Sequence, residues 1–260
     1  MRESTKEHWR SYWQVHSDAD ELYSNEDRIV DSIARACSVK AQNMLEVGAG
    51  SGRDSVRLIA MGARVFVLDY VEGSLSVARK EASKSGVEIF LVCGDATKMP
   101  FRDGCFDVVF HQGLMEHFRD PAPLLEENHR VLAKGGTLLV DVPQKYHVYT
   151  VVKHILIPLG RWFAGWETEY TVAGLERLVA SHGFSIVFSY GDWMVPGFFY
   201  RSLRYGLRKA GVNISKYPPG VPPFKSWGEQ FRRWFRTKRA AFYTFAVIGT
   251  VGTKNWVKRG

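Results

Sequence analysis

Cysteine is scarce: three in 260 residues, Cys37, Cys93 and Cys105, far apart and odd in number. That excludes a disulfide framework and a cysteine-built zinc site, and it predicts a reducing, cytoplasmic setting. Cys93 and Cys105 lie in or beside strand-like runs, so both are expected as small buried hydrophobes. Long apolar runs are missing as well. The most apolar window, 148–163, is shorter than a bilayer span and is broken by Lys153, His154, Pro158 and Arg161. The first thirty residues are polar and mixed in charge, so no secretory leader is expected there. Acid nearly disappears at the end of the chain. From Arg201 onward fourteen Lys and Arg face one carboxylate, Glu229, whereas the first 200 residues hold 21 basic and 26 acidic side chains. The net charge of +8 therefore belongs to the last sixty residues. An anionic partner is expected for that region and not for the whole surface.

What is present is organised around Asn43-Met44-Leu45-Glu46-Val47-Gly48-Ala49-Gly50-Ser51-Gly52. It reads as a short buried strand, a glycine-rich turn and a helix over 53–61. Glycines at alternating positions let the main chain approach something closely, and the helix start presents unpaired N–H groups with the positive end of its dipole. Such a junction holds an anionic or carboxylate-bearing ligand in an open α/β sheet. A dinucleotide fingerprint would need a third small residue where Arg53 stands, which disfavours a dehydrogenase.

The chain then alternates. Strands are expected at 63–69, 87–92, 106–110 and 137–142, with helices at 73–85 and 121–132 between them. A sixth strand is expected at 184–189, a seventh at 242–251, and a helix at 171–182. This predicts an α/β fold, a doubly wound and mostly parallel seven-stranded sheet with helical insertions. Asp69 ends the second strand, where a carboxylate can accept both ribose hydroxyls of a nucleoside. Asp95 follows the third strand, placed to accept from an adenine amino group while Ala96 donates its N–H. The block 111–118, His-Gln-Gly-Leu-Met-Glu-His-Phe, follows the fourth strand at the ligand-binding end of the sheet.

Taken in register, Glu46 to Gly52, Asp69, Gly94-Asp95-Ala96, Phe106-Asp107, Glu116-His117-Phe118 and Arg130 to Gly136 resemble the successive motifs of class I S-adenosylmethionine-dependent methyltransferases. The likeness is to the small-molecule type that includes the ubiquinone- and menaquinone-biosynthesis enzymes, and it covers roughly residues 40–145. It implies a Rossmann-like methyltransferase fold, S-adenosylmethionine as cofactor and no metal. Glu46 and Gly48 would hold the methionine amino group, with Gly50 and Gly52 in the same turn. Asp69 would take the ribose and Tyr70 pack beside the adenine. Asp95 and Ala96 would take the adenine edge, Gln112 and Gly113 line the methionine side, and His117 face the transferable methyl. His117, His147 and His111 are all candidate bases, each with a purely structural alternative. The Asn/Asp-Pro-Pro-Tyr/Phe signature of amine-directed nucleic-acid enzymes is missing after the fourth strand.

One methyltransferase domain over 1–260 is expected, with a cofactor-binding core at 40–145. Residues 1–36 would form a helical lid, Trp9, Tyr12 and Trp13 making its sticky face, or else pack on the domain edge. Insertions at 145–170 and 195–240 would sit on the substrate side. Tyr146, His147, Tyr149, Trp162, Phe163 and Trp166 would roof the pocket over an apolar or ring-shaped acceptor. In 227–242, Trp227, Phe231, Trp234, Phe235 and Phe242 follow helical spacing with Arg232, Arg233, Arg236 and Arg239 beside them. Such a helix can lie on an anionic bilayer or grip phosphates; the bland alternative buries the aromatics and leaves the arginines as a wet face. The expected activity is methyl transfer to oxygen or carbon of a small or lipid-like acceptor, in the cytoplasm or at a membrane surface. The alternatives are an RNA methyltransferase using the basic C-terminal region, and a non-catalytic cofactor-binding module.

Overall fold

The computed structural model describes residues 5–16, 23, 27–159, 165–219 and 224–255. Trp162 and Phe163, expected in the roof, lie outside them. At the centre of the sheet is β1 (Asn43–Val47), whose residues 44–47 are all buried. A strand with no polar-out alternation is one covered on both faces, which is the parallel arrangement. It pairs in parallel with β2 (Arg64–Asp69) on one side and β4 (Phe106–Gln112) on the other. Outside these lie β3 (Phe90–Cys93) and β5 (Leu132–Pro143), also parallel. Only β7 (Val247–Lys254) runs against the rest, inserted between β5 and β6 (Phe184–Asp192). The full order is β3-β2-β1-β4-β5-β7-β6. The direction of winding reverses between β1 and β4, so a crevice opens beyond their carboxyl ends.

Period-two alternation sends neighbouring strand residues to opposite layers. Leu45, Val109 and Leu138 join one core with Leu124, Leu125 and Val131 of α5 (Ala122–Val131) and Leu175 and Val179 of α7 (Val172–Ser181). Met44, Val108 and Leu139 join the other with Ile29 and Ile33 of α2 (Arg28–Ala36) and Leu58 of α3 (Arg53–Ala60). A buried fork also ties α2 to the sheet. Arg28 donates through Nε and Nη2 to Asp141 at 3.0 and 2.9 Å, and the Tyr190 hydroxyl donates to the same carboxylate at 2.9 Å. Residues 28–36 are therefore part of the layered core and not of a lid, and α1 (Lys6–Val15) is the described helix that remains for one.

Several boundaries differ from expectation. The third strand begins at Phe90 and not at Val87, because β2 offers it partners only from Phe66 to Asp69. The seventh begins at Val247. Phe242 and Phe245 are buried but belong to a 3₁₀ turn at 239–244 and the bend after it, where the apolar run fills a side pocket with Trp193 and Phe235. Cys93 and Cys105 are exposed, since one ends the edge strand and the other lies in the turn before β4.

In α9 (Phe224–Phe235) the bland alternative is reversed. Arg236, just past its end, and Arg232 are buried, while Trp227, Phe231 and Trp234 are 56–61% exposed. Arg236 donates to Asp192 at 2.9 Å and to Asp31 at 2.8 Å; Arg233 donates to Asp27 at 3.0 Å. The basic side thus grips α2 and the end of β6, and the aromatic side faces out. A desolvated guanidinium needs carboxylate partners, and two acids brought together from distant segments supply them.

Candidate active site

The crevice beyond β1 and β4 is a cavity of about 1110 Å³. Its floor is the turn after β1. Gly48, Gly50 and Gly52 have φ of 64°, 54° and 65°, the left-handed region in which side-chain-bearing residues are strained. Part of what their bare main chain approaches is the protein itself. A Cβ on residue 48 would lie 2.8 Å from Leu114, one on residue 50 would lie 3.0 Å from Trp13, and one on residue 52 would lie 2.8 Å from Ala78. Gly52 is buried and off the cavity wall; its small size serves the packing of α3 on α4 (Glu72–Lys84). The remaining predicted residues, Glu46, Gly48, Gly50, Asp69, Tyr70, Asp95, Ala96, Gln112, Gly113 and His117, are brought together around one space.

Carboxylates dominate the wall nearest β1 and β2. Glu46 accepts a short hydrogen bond from the Ser55 hydroxyl. Burial first, then the nearby charge of Asp54, pushes its carboxyl up to about 8, with Asp69 adding to the effect. Asp69 accepts from the Val71 N–H at 2.9 Å, and burial raises its carboxyl too, opposed by N–H groups from Val71, Gly50 and Tyr70. Acids crowded in a half-enclosed site make a place for a cation.

Of the three candidate histidines only His117 lies on this wall. Its Nδ1 is 3.1 Å from the carbonyl oxygen of Trp166. A carbonyl can only accept, so Nδ1 carries the proton and Nε2 is the basic nitrogen. Burial lowers its pKa, partly opposed by Glu167 and by the Trp166 carbonyl, so the ring is neutral at neutral pH. His111 is fully buried, meets the Asn128 amide at 3.1 Å, and is pushed down to about 3 by burial. His147 caps α6 (Val148–Leu156), its Nδ1 accepting from the Tyr149 N–H at 3.1 Å. Both are structural.

The far wall comes from α1 and α8. Helix α1, begun by Thr5 accepting from the His8 N–H, lays Trp13 over Gly50 and sets Trp9 edge-on to His117, ring centroids 5.0 Å apart. Arg201 and Tyr205 of α8 (Phe198–Lys209) close another side. Among the described residues none of 145–170 reaches the wall. That insertion works from behind: Trp166 holds His117, the Thr168 N–H donates to the Glu116 carbonyl at 2.7 Å, and buried Lys153 pairs with Glu167 and Glu169 at 2.9 and 3.0 Å. Sequence periodicity marks α1 as aromatic on one side but carries no sign that Arg201 differs from its thirteen basic neighbours.

A doubly wound sheet with an acid-rich crevice at its switch point defines a nucleoside-binding α/β protein. Residues 45–140 match the family model described as a methyltransferase domain. A ubiquinone biosynthesis O-methyltransferase from Xylella fastidiosa is 25% identical over 210 residues, covering 80% of this chain and 78% of that protein. A demethylmenaquinone methyltransferase from Clavibacter sepedonicus is 37% identical over 103 residues, 39% of this chain and 41% of that protein. Among solved structures, a methyltransferase from Aquifex aeolicus has the same fold, with a TM-score of 0.58, 13% identity, and coverage of 95% of this chain and 98% of that one. Residues 45–140 are thus a methyltransferase domain, and these matches support the class I S-adenosylmethionine-dependent family.

The acid-rich wall fits this cofactor, whose ammonium and sulfonium are cations. A measurable consequence follows at Glu46. At pH 7 a carboxyl near 8 is mostly protonated, and a bound ammonium favours the ionised form. Binding of S-adenosylhomocysteine is expected to release a proton at pH 7 and to tighten between pH 6 and 8, by at most about tenfold per pH unit. Calorimetry in two buffers of different ionisation enthalpy reads the proton; identical heats in both would refute the linkage, and Glu46→Gln should flatten the pH dependence. In the ligand-free protein the sign is opposite. The folded state holds a proton that the unfolded state loses near 4.5, so this group's contribution to stability falls as pH rises from there through 8.

Proposed function

We propose that the protein methylates oxygen or carbon of a small, ring-bearing or lipid-like acceptor, with His117 as general base. The observation that carries this is the oriented imidazole: a neutral ring, its proton fixed on Nδ1 by Trp166, on the wall of the cavity that also holds Glu46 and Asp69. S-adenosylmethionine, when bound, supplies a methyl group already electrophilic on its sulfonium. The protein's share is then to hold the acceptor in line and remove its proton. Glu46 and Gly48 would hold the amino group, Asp69 the ribose, Tyr70, Asp95 and Ala96 the adenine, and Gln112 and Gly113 the methionine side. Helix α1 would be the lid, since one helix spans both the glycine turn and His117.

The names of the relatives, enzymes of ubiquinone and menaquinone formation, support a quinol-like or phenolic acceptor. Among the described residues no helix is long and apolar enough to cross a membrane. Three free cysteines, two of them exposed, suit a reducing cytoplasm. The outward Trp227, Phe231 and Trp234, beside the exposed Arg233 and Lys238, suit peripheral contact with an anionic bilayer. Retention of phosphate by the C-terminal arginines is less well supported, because Arg232, Arg233, Arg236 and Arg239 all lie against carboxylates.

The test is incubation with methyl-labelled S-adenosylmethionine and cell extract split into lipid, RNA and small-molecule fractions, with and without phosphatidylglycerol vesicles. Label is expected in the lipid or small-molecule fraction, with protein in the vesicle pellet. Label in RNA would replace this reading with the nucleic-acid one, and cofactor binding without label anywhere would leave a binding module. Protein that stays in the supernatant would remove the membrane contact alone.

A further inference from the structure

Arg201 is a feature of the cavity wall that methyl transfer by itself does not require. It sits in the first turn of α8, and Tyr205, one turn on, faces the same space as Gly50 and His117. Its Nε donates to the Pro196 carbonyl at 2.9 Å and its Nη2 to the Val195 carbonyl at 3.0 Å. The Tyr23 ring lies 4.0 Å from the guanidinium carbon, and Arg204 steadies that ring by donating to its hydroxyl at 3.3 Å. Among the described residues no carboxylate pairs with Arg201. The buried arginines differ on this point: Arg28 has Asp141, Arg236 has Asp192 and Asp31, and Arg232 has Asp192.

A guanidinium has five N–H donors, and among the described residues two are used, both on neutral carbonyls. Those bonds and the Tyr23 platform fix the plane of the fork without neutralising it. Burial disfavours its charge, the largest influence on its pKa, and only tyrosines favour it. Nη1 and the second hydrogen of Nη2 remain for an occupant of the cavity, in the geometry that carboxylates and phosphates match with two parallel bonds. The wall near β1 and β2 is acidic and suits the cationic cofactor. The α8 side carries the opposite sign.

We propose that Arg201, held on Tyr23, is an anion subsite for the acceptor, so that the acceptor is a carboxylate- or phosphate-bearing ring compound. This deepens the methyl-transfer reading of the cavity and rests on it. The anion would anchor one end of the acceptor at α8 while the atom to be methylated meets His117.

Ligand-observed NMR on the protein saturated with S-adenosylhomocysteine tests this with three probes: benzoate, phenyl phosphate and neutral benzamide. At least one anion is expected to bind, with benzamide at least about tenfold weaker, the margin of one charge-assisted pair. The benzoate and phenyl phosphate arms decide which anion the fork prefers. Arg201→Gln should remove that margin while leaving S-adenosylhomocysteine affinity unchanged by calorimetry, and Arg201→Lys should keep part of it; thermal melts confirm that both variants fold. Equal binding of benzamide and the anions overturns the proposal, as does failure of both anions to bind. A matching loss of S-adenosylhomocysteine affinity in Arg201→Gln overturns it too, because the guanidinium would then hold the cofactor's own carboxylate. Calorimetry on the unaltered protein separates the two readings. Binding of either anion without S-adenosylhomocysteine keeps the subsite and loses methyl transfer, and binding of S-adenosylhomocysteine with neither anion loses only the subsite.

Discussion

Replacing His117 with alanine is expected to lower kcat by roughly 10²–10⁴-fold, the range for a positioned proton acceptor. Affinity for S-adenosylhomocysteine should hardly move, because the role proposed for the imidazole is toward the acceptor. The reason for so large an effect is orientation. Trp166 fixes the tautomer, Trp9 packs edge-on at 5.0 Å, and burial holds the ring neutral. A base whose pKa is pushed below 6.5 by burial is in its working form throughout the neutral range. With cofactor saturating, kcat should therefore be flat above pH 7 and fall only as pH drops below the ordinary histidine value. His117→Gln, which keeps a hydrogen-bonding side chain but no basic nitrogen, should be nearly as slow. A variant with kcat within about threefold of the unaltered protein would remove His117 from the chemistry, whatever its geometry.

Asp69→Ala should weaken S-adenosylhomocysteine binding by roughly 10²-fold, the loss of two hydrogen bonds to a charged acceptor. Calorimetry measures it directly. The carboxylate has a second duty, accepting from the Val71 N–H just before α4, so the alanine variant should also melt lower. Asp69→Asn separates the duties: the amide oxygen can still serve Val71, while the ribose loses an ionic acceptor. Binding should fall by about tenfold in that variant with little change in melting, on the same accounting. Unchanged affinity in both variants would mean that the nucleoside lies elsewhere in the cavity.

How much of this was legible in the chain depended on the reach of each interaction. The order of strands, the glycine turn and the acids after β2 and β3 follow from local pattern, because a parallel sheet writes itself as apolar runs separated by helices. The polarity of α9 was not legible. Periodicity shows that Trp227, Phe231 and Trp234 share a face opposed to Arg232 and Arg236, but not which face turns inward. That depended on Asp31 and Asp192, the first of them 205 residues away from Arg236 along the chain. The site divided the same way. Glu46 and Asp69 could be placed by register and the resemblance set His117 toward the methyl, whereas His111 and His147 stayed rival bases until the fold buried one and used the other as a helix cap. Arg201 had no local mark, since its distinction is that, among the described residues, no carboxylate pairs with it.

The antiparallel seventh strand has a bearing on how the chain assembles. Because β6 has no neighbour except β7, and β5 has β7 along one whole side, a growing chain that has reached residue 246 still shows two bare ribbon edges. Joining β6 to the rest of the sheet therefore requires the eight residues of β7, and the long excursion carrying Arg201 and the outward tryptophans is strung between the two strands so joined.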